Sequence, residues 1–125
     1  MPIHYRKDDQ KRRVYVTWEG KPTVDEGVAM MNRQAADGAW SYAVQQDVRE
    51  GREAPSLEEL RQIVMHVGRL TAKHGPRGPV ALIVGDPELF KAAKRYASLG
   101  ELTALNVEMF ATPEAAEQWL DSVTR

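Results

Sequence analysis

The 125-residue chain contains no cysteine. That excludes disulfides, thiolate nucleophiles and cysteine-ligated metal centres together. Excess charge is also missing, because 17 Lys+Arg stand against 18 Asp+Glu for a formal net charge of -1. A dedicated nucleic-acid or anionic-membrane binder needs a basic surface, so neither is expected. Long apolar runs are absent; the longest, Val80 to Val84, falls far short of a bilayer span. The opening Met1-Pro2-Ile3-His4-Tyr5-Arg6-Lys7 lacks the apolar stretch of a secretion signal, so a cytoplasmic protein without membrane insertion is expected. Neither Gly-x-Gly-x-x-Gly nor Gly-x-x-x-x-Gly-Lys-[Ser/Thr] occurs, and no cofactor is implied.

What the chain does have is an ordinary globular composition, 42% hydrophobic and 28% charged, long enough to bury a core without a staple. Residues 1–125 read as one domain. Alternation in Ile3-x-Tyr5 and Val14-x-Val16-x-Trp18, around the polar Lys7–Lys11, predicts a β-hairpin. Thr23-x-x-Glu26 is a capping box that opens a helix with the stripe Val24, Val28, Met31 and Ala35, closed by Asp37-Gly38. A third strand is expected over Tyr42–Val48, then a charged loop over Arg49–Pro55. Ser56-x-x-Glu59 repeats the capping box and starts the longest helix, with Leu57, Leu60, Val64, Val67 and Thr71 on one face. His74-Gly75-Pro76 stops it.

Val80–Val84 is apolar throughout, as a strand covered on both sides must be. Asp86-Pro87 and Thr112-Pro113 are cap-proline starts of two further helices. Leu89, Ala92, Ala93, Tyr96 and Leu99 line the first of these, with Gly100 as its expected stop. A last strand covers Val107–Ala111, and Ala116, Trp119, Leu120 and Val123 form the final stripe. The order β-β-α-β-α-β-α-β-α predicts an α/β domain with a mostly parallel sheet and an antiparallel edge hairpin strand.

That order, with Val14-x-Val16-x-Trp18-x-Gly20, Thr23-x-x-Glu26, the strand end at Asp47, the buried Val80–Val84 and the terminal Phe110–Leu120, resembles the STAS domain. The small stand-alone SpoIIAA-like bacterial proteins are the nearest in pattern. The resemblance implies a non-enzymatic regulatory or protein-interaction domain. It also implies a phosphorylatable hydroxyl at the start of the helix after the third strand, and Ser56 is the residue that matches by position. The plain alternative for Ser56 is a helix N-cap.

Candidate contacts with a ligand or partner sit at the carboxyl ends of the strands, where parallel sheets usually bind. They are Gln46, Asp47, Arg49 and Arg52. Gln46 shares its face with Val44 and Val48, so its amide points inward and needs a partner. An alternative function follows: a binder of a small molecule, apolar or lipid, using Gln46 and Asp47 beneath the Arg49–Pro55 loop. Trp18, Trp40 and Tyr42 would supply its walls, and it would need a pocket of at least about 300 Å³. His4, His66 and His74 share no metal-ligand spacing, and no nucleophile-base pair can be assembled, so no metal and no catalytic residue is expected. The open edge of the hairpin makes a homodimer conceivable.

Overall fold

A computed structural model describes residues 3–100 and 106–124. The strands are β1 (Ile3–Asp8), β2 (Arg13–Gly20), β3 (Ala43–Gly51), β4 (Val80–Ile83) and β5 (Val107–Phe110). The helices are α1 (Val24–Ala36), α2 (Leu57–His74), α3 (Pro87–Gly100) and α4 (Pro113–Val123). The α/β class and the element order match the sequence expectation. All five strands join one sheet in the order β1-β2-β3-β4-β5. β1 runs antiparallel to β2, and the remaining pairs are parallel.

Each helix start is set by the residues that signal it. Thr23 Oγ1 accepts the Glu26 N–H at 3.1 Å while Glu26 Oε1 accepts the Thr23 N–H at 2.9 Å. Ser56 and Glu59 make the same reciprocal pair at 3.1 and 2.9 Å. Asp86 Oδ1 accepts from the Glu88 N–H at 2.8 Å, and Thr112 Oγ1 accepts from Ala115 at 3.2 Å. These bonds satisfy backbone donors that a helix leaves free at its N-terminus. α3 includes Gly100, the last described residue of that segment, so whether the helix stops there as expected lies outside the described residues.

Helices α1, α2 and α3 cover one face of the sheet, packing Met30, Met31, Val67, Leu89 and Ala93 against Val14, Val16, Val44, Val80 and Leu82. Among the described residues, only α4 covers the other face, through Ala116 and Leu120 against Ala43, Ala81 and Ile83. Val80, Ala81 and Ile83 have no exposed surface, which accounts for the unbroken apolar run.

Three sequence expectations are corrected. β3 starts one residue later than expected and continues through Arg49 and Glu50 to Gly51, so the first three residues of the expected loop are strand. Its register against β2 shifts between Thr17 and Glu19, where β3 carries one extra residue. Such a bulge lets pairing continue past a break in alternation. The buried stripe of α1 is Gly27, Met30, Met31, Gln34 and Ala35, turned from the predicted one by the packing of α2. Leu57, expected in the core, is 44% exposed in the first turn of α2.

Candidate functional site

The three-helix face does not close completely against the sheet. A cavity of about 100 Å³ opens at the carboxyl edge between Trp18, Lys21, Pro22 and Pro55. Its walls are mostly apolar: Met30 and Met31 from α1, Leu60 and Ile63 from α2, Leu82 from β4, Ala92 and Ala93 from α3. Lys21 reaches Glu53 at 3.3 Å and Glu59 at 3.9 Å beside the mouth.

Of the candidate residues, Gln46 is placed as expected, half-buried and lining this cavity. Asp47 is not. Adjacent residues of a strand point to opposite faces, and Asp47 borders a shallow polar groove of about 350 Å³ on the other side, beside Thr17 and Gln45. A pocket that uses Gln46 and Asp47 together is therefore excluded. Asp47 instead binds Arg49: Oδ2 accepts from Nη2 at 2.7 Å, and Oδ1 accepts from Nε and from the backbone N–H, both at 3.0 Å. Burial raises the Asp47 pKa, but these bonds outweigh it and hold the carboxyl below its usual range. Arg49 and Arg52 are exposed. Ser56 is the N-cap described above, its hydroxyl engaged with Glu59.

The expected walls need correction too. Trp18 lines the cavity, but Trp40 and Tyr42 do not. The Trp40 indole donates to the Gly75 carbonyl at 3.0 Å, and the Tyr42 hydroxyl donates to Asp9 at 2.7 Å. The volume is also well below the 300 Å³ set for a lipid-sized pocket.

The histidines find separate partners. His4 meets Glu19 at 3.1 Å, and His66 Nε2 lies 2.7 Å from Asn32 Oδ1. Burial and the neighbouring Arg69 lower the His66 pKa. Asp47, Ser56 and the histidines do not converge. Among the described residues, no group of three or more His, Asp or Glu is placed to hold a metal ion.

Sequence reasoning missed Arg77. It sits in the turn between α2 and β4, is 8% exposed and lines the cavity. Gly78 fixes the path of this turn, because a Cβ there would collide with the carbonyl oxygens of Ser41 and Tyr42. Arg77 Nη2 donates to Gln34 Oε1 at 3.2 Å, and Nη1 makes a long bond to the Tyr96 hydroxyl at 3.5 Å. The guanidinium stands 5.0 Å over the Trp40 ring. Gln34 is fully buried and uses its amide N–H on the Ala39 carbonyl at 2.9 Å. Every partner of Arg77 among the described residues is neutral, and its Nε–H has none. Burial lowers the Arg77 pKa and raises that of Tyr96, which keeps the phenol neutral. The available signal was Gly75-Pro76-Arg77-Gly78-Pro79, a charge held in a rigid turn just before the most buried strand.

Comparison with solved structures finds an uncharacterized protein of the DUF3478 family with a SpoIIAA-like fold, from Shewanella loihica PV-4. The two share 19% sequence identity at a TM-score of 0.61, covering 94% of this chain and 91% of that one. The fold is thus SpoIIAA-like, as the sequence resemblance implied. No protein-family model and no curated protein matches the chain.

Proposed function

We propose that the protein is a non-enzymatic regulatory or protein-interaction domain that presents the carboxyl edge of its sheet to a partner. The observation that carries this reading is the makeup of that edge. Leu57 and Phe90 are 44% and 42% exposed in the first turns of α2 and α3. Charged Arg49, Glu50, Arg52 and Glu53 are exposed on the segment that leads into α2. Exposed apolar side chains together with charged ones at one edge are the materials from which protein interfaces are built. The absence of converging nucleophile and base in the described residues fits binding better than catalysis.

The test starts from native mass spectrometry of the protein isolated gently from its host, which identifies a retained partner. Arg49→Ala with Arg52→Ala, and separately Leu57→Asp, should weaken that complex while leaving the thermal midpoint nearly unchanged. Undiminished binding, or a large loss of stability, overturns the assignment.

A second reading, binding of a small molecule, is favoured by the cavity. Its size narrows the earlier expectation: the occupant is a compact apolar molecule rather than a lipid.

A further inference from the structure

We propose that Arg77 is the counter-ion for a small apolar monocarboxylate held in the cavity, with the hydrocarbon part against α1, α3 and β4. The inference rests on the small-molecule reading and gives it a chemical class. A buried cation is ordinarily paired with a carboxylate. Arg77 has instead an amide, a phenol and an indole face, all neutral, within reach. Its Nε–H is buried without a partner, and an unsatisfied buried donor calls for an explanation. The side chain lines a cavity that is otherwise mostly apolar, so whatever enters meets hydrocarbon walls and one unneutralised positive charge.

The guanidinium also sets the head group. It offers a planar fork of donors that a carboxylate matches in a bidentate manner. A single buried positive charge neutralises a monoanion and would leave a doubly charged phosphate half compensated. Tyr96, held neutral by burial, adds a hydroxyl beside the same position. The indole N–H of Trp18, another lining residue, is a second buried donor without a partner. Size sets the tail. About 100 Å³ is of the order of cavities that take one benzene ring, ~150 Å³, so the acid is of benzoate or hexanoate size.

Titration calorimetry of the purified protein with benzoate and hexanoate, and with benzyl alcohol and hexanol as neutral matches, tests this. The acids should bind about tenfold more tightly than the alcohols, or better, the worth of one charge-assisted hydrogen bond. Arg77→Met should abolish that preference. Nitrogen-proton correlation spectra of the unaltered protein give a readout that needs no variant: the Arg77 Nε–H resonance should move on adding acid and stay on adding alcohol. Equal binding of acid and alcohol, with that resonance unmoved, overturns the counter-ion while leaving the cavity as a binding site. No binding of either at millimolar concentration overturns the small-molecule reading as well, and Arg77 is then a cation satisfied within the fold.

Discussion

The two faces of the sheet each bury an arginine, and they treat it in opposite ways. Under α4, Arg13 is 2% exposed, with Nη1 donating to Glu117 at 2.7 Å and Nη2 donating to Asp121 at 3.2 Å. Under α1, α2 and α3, Arg77 is buried to a similar degree and meets only neutral groups among the described residues. Burial depresses both pKa values; at Arg13 the hydrogen bonds and charges of the carboxylates reverse the effect, and at Arg77 Tyr96 does not. The paired cation fastens a lone helix to the sheet. The unpaired one is poorly explained as a fastener, because a buried cation without a carboxylate costs stability rather than adding it.

The largest expected effect sharpens this contrast at the turn that holds Arg77. Gly78→Ala must push the turn off the Ser41 and Tyr42 carbonyls and should cost about 3 kcal/mol in urea unfolding. Next comes Glu117→Ala, which leaves Arg13 with Asp121 as its carboxylate partner and should cost about 2 kcal/mol. That is below the ~3–5 kcal/mol of fully buried pairs because Glu117 is partly exposed. Arg77→Met should change stability by less than about 1 kcal/mol, since relief of the buried charge offsets the partner lost by Gln34. A loss as large as that of Glu117→Ala would erase the distinction between the two arginines.

The exposed Asp47–Arg49 pair supplies the lower end of the series, with about 0.2–1 kcal/mol expected. Its sign with pH is set by Asp47, whose pKa is lower in the folded protein than in the unfolded chain. The contribution is present above the unfolded carboxylate value of roughly 3.9 and disappears as pH falls through the lower folded value. Asp47→Asn should therefore lower stability by about 0.2–1 kcal/mol at neutral pH, and its difference from the unaltered protein should vanish as pH falls below about 4.

The fold was legible where local chemistry decides it. Reciprocal Thr23–Glu26 and Ser56–Glu59 caps, Asp86-Pro87, and the apolar Val80–Val84 each carry their own physical signal, and each appears where expected. β3 was cut short because its last residues are strand only through pairing with Glu19 and Gly20, a long-range contact across a bulge. Gln46 was placed correctly by alternation. The same alternation, applied one residue further, would have put Asp47 on the far side of the sheet. Gln34 and Arg77 escaped because polar residues in an apolar stripe and in a turn read as solvated. Their burial exists only once α1, α3 and the turn meet.

Gly78 turns this into a criterion for reading other sequences with the same fold. Its missing side chain leaves room for two carbonyl oxygens, so the arginine before it is denied the small retreat that would carry its charge to water. An Arg-Gly pair just ahead of the apolar strand therefore distinguishes chains that hold a cation beneath the sheet from chains that merely carry an arginine nearby. A residue with nothing to offer a ligand marks the one that has.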